Sequence, residues 1–142
     1  MKKIISIVFL GLLMFSFTKK ENSYTEIDQD SKFTESIKRG KEVYTDMCIS
    51  CHMANGEGLP KIYPPLAKSD YLMEKREASI SAIKYGLKGK IVVNGITYKN
   101  MMSRLGLLDD EVADVMNYIT NSWGNKNSKM ITIEEVKAVS KK

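Results

Sequence analysis

The residues of this chain that are best suited to chemistry lie side by side in the segment Cys48-Ile49-Ser50-Cys51-His52. Two thiols three residues apart, in the turn that leaves a helix, can each bond to one vinyl group of a single porphyrin, and the next residue then brings its imidazole under the iron. The segment uses both cysteines and the one histidine of the sequence. The pattern therefore predicts one covalently attached haem, with Cys48 and Cys51 as its anchors and His52 as an axial ligand.

Two other chemistries use similar residues, and the rest of the sequence disfavours both. A thioredoxin-like redox pair also has two cysteines at this spacing, but no alternation of strands and helices surrounds Cys48 and Cys51. A structural zinc site takes four nitrogen or sulfur ligands, whereas this chain offers three adjacent candidates. Haem attachment is thus the favoured interpretation.

A second axial ligand has to come from another residue type, because no further histidine exists. Methionine is the natural candidate, since its thioether binds haem iron and raises the reduction potential. Met101 and Met102 lie in an irregular segment before the last long helix, and Met73 is a third candidate among the nine methionines. These residues alone leave the choice open.

The elements that must position these side chains are predicted to be mostly helical. Apolar residues at spacings of three and four indicate a helix over residues 33–47, directly before the first cysteine. A second helix is predicted over 77–87, ended by Gly86 and Gly89, and a third from Asp109 to about Gly124.

The segments between the helices carry turn signals. Residues 53–68 hold all three prolines and are predicted to form an irregular loop. The Asn94-Gly95 dipeptide lies between two short β-like runs and indicates a hairpin. Thr132 is a candidate N-cap of a short last helix, with Val136 and Val139 on its inner face.

The two ends of the chain differ in character from its middle. Residues 1–18, with Lys2 and Lys3 before a nearly continuous apolar run, are predicted to be an export signal or an uncleaved membrane anchor. Residues 19–32 are predicted to be a polar linker. The folded domain is expected over 33–125, followed by a C-terminal extension, 126–142.

Charge argues against a nucleic-acid-binding protein. The net charge is +5, but residues 33–125 carry 12 basic and 11 acidic side chains, so the excess lies at the two ends. No arginine-rich stretch or basic run interleaved with aromatics is present. Within the domain, residues 60–104 hold nine basic side chains against three acidic ones. Two interpretations stay open: a face that orients the protein toward an acidic partner, and an ordinary solvated charged surface. The nine are Lys61, Lys68, Lys75, Arg76, Lys84, Lys88, Lys90, Lys99 and Arg104.

Residues 33–125 resemble the class I cytochromes c. In that family a glycine and an aromatic residue on the helix before the haem motif meet an aromatic on the C-terminal helix. Gly40 and Tyr44 match the first two, and Val115 and Tyr118 match the partner position. The resemblance implies an all-α cytochrome c fold, in which three to four helices wrap around one haem and the N- and C-terminal helices cross.

The same resemblance assigns further site residues. Pro64-Pro65-Leu66 matches a family segment in which the first proline's carbonyl accepts the N–H of the ligand imidazole and the leucine packs on the haem. Alignment on the following leucine makes Met102 the second ligand. Ser103 departs from the family, in which proline usually follows that methionine.

The function implied is electron transfer by one c-type haem with His/Met ligation, in a periplasmic carrier that is not itself an enzyme. The alternatives are a dedicated cytochrome subunit of a periplasmic oxidoreductase complex and an open-site haem protein that binds small ligands. Redox proteins are the expected partners of a monomer or a subunit. Membrane contact is expected only through an uncleaved N-terminal anchor.

Overall fold

The computed structural model describes residues 23–141, with side chains described from residue 28 onward. Within these residues, helices and one antiparallel hairpin follow in chain order: α1 (Ser23–Met47), α2 (Ile49–His52), α3 (Asp70–Glu74), α4 (Arg76–Tyr85), β1 (Ile91–Val93), β2 (Ile96–Tyr98), α5 (Asp109–Ile119) and α6 (Ile133–Ala138). The predicted all-α class is confirmed, with the small hairpin as an addition. None of the helices described here has the length and apolar character that crossing a bilayer requires.

The fold is organised by a close crossing of α1 and α5. A Cβ atom placed on Gly40 would lie 1.9 Å from the carbonyl oxygen of Asp114 and 2.9 Å from the Cβ of Tyr118. One turn further along α1, the buried ring of Tyr44 packs against Tyr118 with ring centroids 5.4 Å apart. The crossing predicted for Gly40, Tyr44 and Tyr118 is therefore present, and it requires glycine because the two backbones touch.

Substitution of Gly40 with alanine is expected to lower the free energy of unfolding by about 2 kcal/mol or more, because the new methyl group meets a backbone oxygen that has no room to move. The higher helix propensity of alanine offsets only about 1 kcal/mol of this cost. Denaturant unfolding of the haem-loaded protein measures the change. Lys41→Ala, at the next and exposed position, is the control. A Gly40→Ala protein as stable as this control would contradict the close crossing.

A polar network lies beneath the crossing. Asp114 accepts a hydrogen bond from the hydroxyl of Ser36 at 2.6 Å and two from the guanidinium of Arg39 at 2.6 and 2.8 Å. The amide of Asn117 donates to Ser36 Oγ at 2.8 Å. Because each of these polar groups has a partner, the buried carboxylate is tolerated inside the helix interface.

The hairpin and the end of α4 follow the predicted turn chemistry. Asn94 and Gly95 both have positive φ angles, 49° and 76°, which suit a two-residue turn between right-handed twisted strands. Ile91 pairs with Tyr98 across this turn. Helix α4 ends at Tyr85, and Gly86 follows with a φ of 80°, so the predicted stop at this glycine is confirmed.

Two predicted helix limits are wrong. Helix α1 begins at Ser23 and not at residue 33, so residues 23–32 of the predicted polar linker are helical; its residues 19–22 lie outside the described residues, as does the predicted signal over 1–18. Neither glycine nor proline interrupts residues 23–32, and hydrophobic periodicity does not detect a helix in a segment with so few apolar residues.

Helix α5 ends at Ile119, five residues before the predicted stop at Gly124. Side chains take over its last carbonyls: the Thr120 hydroxyl donates to Met116 O at 2.7 Å, and the Asn125 amide donates to Ile119 O at 2.8 Å. These groups end the helix before Gly124 is reached.

The C-terminal extension packs on the domain. Ile131, Val136 and Val139 are buried in the same apolar cluster as residues of α4 and α5. Thr132 accepts a hydrogen bond from the Glu135 N–H at 3.2 Å, which confirms it as the N-cap of α6. The extension therefore contributes to the apolar core of the domain.

Candidate functional site

The two cysteines and the histidine lie on one helical turn that continues α1. The N–H of Cys48 donates to Tyr44 O, and the N–H of His52 donates to Cys48 O, both at 2.9 Å. Both thiols are free and half-buried. Burial, with a smaller contribution from the neighbouring Cys51, raises the pKa of Cys48 to about 11. A thiol with so high a pKa is a poor nucleophile for disulfide exchange, which weakens the thioredoxin-like alternative further.

The imidazole of His52 is buried, and its orientation is fixed by one contact. Its Nδ1 lies 3.0 Å from the carbonyl oxygen of Pro64. Because a carbonyl oxygen only accepts hydrogen bonds, Nδ1 is the nitrogen that donates, and Nε2 keeps its lone pair free for a metal. Burial lowers the pKa of His52, opposed by the Pro64 hydrogen bond, so burial favours the neutral ring that binds iron.

An apolar cavity, open to solvent at one side, adjoins these residues. Concave and mostly apolar sites of this kind are typical of cofactor-binding proteins. Its walls come from α1, α2, the proline-containing loop, α4, the hairpin, the segment before α5 and α5 itself. They include Tyr44, Cys48, His52, Pro64, Leu66, Ile83, Met102 and Ile119.

The three candidate methionines lie in different environments. Met102 lines this cavity together with His52, and its N–H and C=O both pair with Leu87 at 2.9 Å. Met101 is 58% exposed and lines the outer groove beside Cys51. Met73 lies on α3 and is 36% exposed. The structure thus brings Met102, Pro64 and Leu66 together with His52, as the resemblance implied for them.

One polar atom in the cavity wall has no partner in the protein. Ser79 Oγ is buried and is the one side-chain oxygen or nitrogen in residues 28–141 that is buried without a hydrogen bond. Leaving such a hydroxyl unpaired costs about 1–3 kcal/mol, so an acceptor on a bound group is expected there. An apolar cavity lined by one cysteine, a histidine and a methionine, with Cys51 in the adjoining groove and one free hydroxyl donor in the wall, fits a haem, which is apolar but carries two propionates.

Two positioning residues near the cavity were not predicted from the sequence. Trp123 stacks beside Tyr44 with centroids 4.9 Å apart and covers Gly56, where a Cβ would lie 2.5 Å from the indole. Asn125 donates to Leu66 O and accepts from the Lys68 N–H, both at 2.9 Å. It thereby ties the loop that carries Pro64 to the end of α5. A run of polar residues after a helix was the only signal for it.

The basic side chains of residues 60–104 do not all face solvent freely. Arg76 binds Glu135, and Lys84 binds Asp109, so these two side chains are already paired within the protein. Lys61, Lys90 and Lys99 are exposed and line one shallow depression.

Comparison with known proteins shows what this chain is similar to. The family model described as cytochrome c matches residues 37–123. Cytochrome c-552 of Thermus thermophilus is 40% identical over 107 residues, which cover 69% of this chain and 81% of that protein. The gluconate 2-dehydrogenase cytochrome c subunit of Pantoea cypripedii is 29% identical over 136 residues, 89% of this chain and 31% of the relative. The cytochrome c subunit of the quinone-dependent alcohol dehydrogenase of Gluconobacter oxydans is 27% identical over 106 residues, 68% of this chain and 21% of the relative.

Proposed function

We propose that this chain, which belongs to the cytochrome c family, transfers electrons through a single haem. His52 and Met102 would be the two ligands of the haem iron. The family implies haem c, and Cys48 and Cys51 have the spacing for its covalent attachment. The observation that carries the ligand proposal is that the half-buried Met102 lines the apolar cavity with His52, whereas the exposed Met101 shares only the outer groove with His52, and Met73 lines neither.

Each protein group has a definite task in this proposal. The Pro64 carbonyl orients the imidazole of His52 through Nδ1 and keeps Nε2 available. The Met102 thioether would be the second ligand of the iron, and Leu66 would pack against the haem. The haem would supply the one-electron chemistry. Because the side chains of both His52 and Met102 would bind the iron, no site for a substrate would remain, so we infer a carrier that is not an enzyme by itself.

A redox titration followed by absorption tests this function. A closed carrier gives one one-electron wave, and its ferric spectrum does not change promptly when cyanide is added. An open-site haem protein would bind cyanide to its ferric iron at once, because no side chain has to leave first. Prompt cyanide binding at neutral pH would contradict the carrier proposal.

We further propose a free carrier and not a fixed subunit of a larger enzyme. The similarity to cytochrome c-552 spans 81% of that protein, while the gluconate dehydrogenase subunit is matched over 31% of its length. Elution from a sizing column at the mass of a monomer supports this proposal. Stable co-elution with an oxidoreductase would favour the subunit alternative.

We also propose that residues 1–18 export the carrier to the periplasm. The N-terminal sequence of the mature protein tests whether these residues are cleaved.

The exposed lysines Lys61, Lys90 and Lys99 are proposed to guide redox partners to the haem edge. Replacing all three with glutamine is expected to slow electron transfer to an acidic partner protein about tenfold at low salt, because electrostatic steering is lost. Stopped-flow kinetics at several ionic strengths measure this effect, and the variant should also respond less to salt.

Three exposed lysines elsewhere on the surface, Lys38, Lys41 and Lys137, provide a control of equal charge. Replacing them with glutamine should change the rate much less. Equal effects of the two triple variants would show that only net charge matters and would contradict a local docking surface.

A further inference from the structure

We propose that the C-terminal extension is a brace, in which residues 129–139 hold α4 and, through α4, keep the Met102 segment closed over the haem. This inference rests on the proposed role of Met102 as an axial ligand. It assigns a positioning role to Arg76, Tyr85 and Glu135. None of these three residues lines the cavity that contains His52, so none of them is a candidate ligand.

Hydrogen bonds from Arg76 bind the start of α4 to the extension. The guanidinium of Arg76 donates to both carboxylate oxygens of Glu135, at 2.5 and 2.6 Å. It also donates to the carbonyls of Lys129 and Met130, each at 3.0 Å. A planar guanidinium with four acceptors fixes the direction of both chains, which a single lysine contact would not do.

The end of α4 is held by two further contacts. Lys84 Nζ donates to Val136 O at 2.9 Å and forms an ion pair with Asp109 at the start of α5. The Tyr85 hydroxyl donates to Val139 O at 3.0 Å. Both ends of α4 are therefore tied to the extension, and the sequence separations of 52 to 59 residues make these ties invisible to local sequence patterns.

The brace can act as a support because the extension is itself anchored. The side chain of Asn117 accepts from the Ile131 N–H at 2.7 Å and donates to the Ile131 carbonyl at 2.9 Å. Ile131 and Val136 are fully buried. Pulling the extension away would expose these side chains and break a buried amide pair, both of which are costly.

The residues that follow α4 contact the Met102 segment directly. Leu87 exchanges two backbone hydrogen bonds with Met102, both at 2.9 Å. A Cβ on Gly86 would lie 2.8 Å from Met102 O and 3.0 Å from the backbone nitrogen of Arg104. Gly86 and Leu87, the two residues that directly follow α4, are thus in backbone contact with residues 102–104, so a shift of the end of α4 moves the methionine.

The Met102 segment needs such support. Ser103 stands where proline would restrict the backbone, and residues 99–101, 103 and 104 are exposed. Serine leaves the chain free to turn around this position, whereas proline fixes φ. In this protein, contacts with the braced α4 supply that restriction instead.

The test compares two arginines that each hold a carboxylate with two hydrogen bonds. Arg76→Gln breaks the brace, and Arg39→Gln breaks the matched pair with Asp114 between α1 and α5. In the reduced haem-loaded protein, carbon monoxide binds only after Met102 leaves the iron. Arg76→Gln is expected to speed this binding about tenfold, while Arg39→Gln leaves it nearly unchanged even if it lowers overall stability. Equal acceleration by both variants, or none by Arg76→Gln, overturns the brace.

Hydrogen exchange of the Leu87 and Met102 amides gives a readout that does not depend on iron ligation. The brace predicts faster exchange of these two amides in Arg76→Gln than in Arg39→Gln at matched stability, and equal rates would overturn it. Tyr85→Phe, which removes one hydroxyl contact, is the mild variant and should act in the same direction. If unmodified protein binds carbon monoxide at once, the ligand proposal has failed, and the exchange rates still decide on the brace.

Discussion

Replacing both Cys48 and Cys51 with serine is expected to abolish covalent haem attachment completely. Serine hydroxyls do not add to the porphyrin vinyl groups as thiols do, so any haem that binds would leave when the protein is denatured. Haem staining after denaturing electrophoresis measures the result, and the expected stain is nil. The apolar cavity beside His52 would then lack its covalently held occupant, and we also expect a marked loss of thermal stability.

Ser50→Ala is the matched control, because Ser50 lies between the cysteines and is exposed. This variant should retain full staining and near-normal stability. Staining of the double serine variant after denaturation would mean that haem is bound through some other residue, and the assignment of the two anchors would be wrong.

The second large effect is expected at Met102. Met102→Leu keeps the volume of the side chain and most of its packing, a change that usually costs less than about 1.5 kcal/mol, but it removes the sulfur. The ferric iron should become high-spin and accept small ligands. The reduction potential should fall by on the order of 0.1 V or more, within the roughly 0.8 V range that axial ligands span. A redox titration and the ferric spectrum measure both changes.

Met101→Leu is the natural control, since Met101 is the adjacent methionine and lies mostly in solvent. Its potential and spectrum should match those of the unmodified protein. If Met101→Leu, and not Met102→Leu, converts the iron to high spin, the ligand has been assigned to the wrong methionine.

The parts of the fold that were predicted correctly depend on local sequence. The turn at Asn94-Gly95 needs two positive φ angles, and these residue types tolerate them best. The three acidic residues at the start of α5 complement its dipole, and the helix begins there. The spacing of Gly40 and Tyr44, together with the resemblance to the family, predicted the crossing with α5.

The parts that were missed depend on contacts between distant residues or on exposed helices. Arg76 was counted with the docking lysines, because nothing near it in sequence reveals that Glu135 lies within reach. Asn117, on a helix whose apolar face had been identified, was not recognised as the anchor of Ile131. The first ten residues of α1 lack apolar periodicity. The arrangement of Pro64, Leu66 and Met102 around His52 was expected from the family resemblance and not from the physical pattern alone.

The absorption spectrum of the haem-loaded protein, oxidised and reduced, with and without carbon monoxide, tests the central claim most directly. Ligation by His52 and Met102 predicts a low-spin spectrum in both states, the weak far-red band of methionine on ferric iron, and no prompt response to carbon monoxide. A high-spin ferric spectrum, with immediate carbon monoxide binding after reduction, would contradict a closed electron carrier.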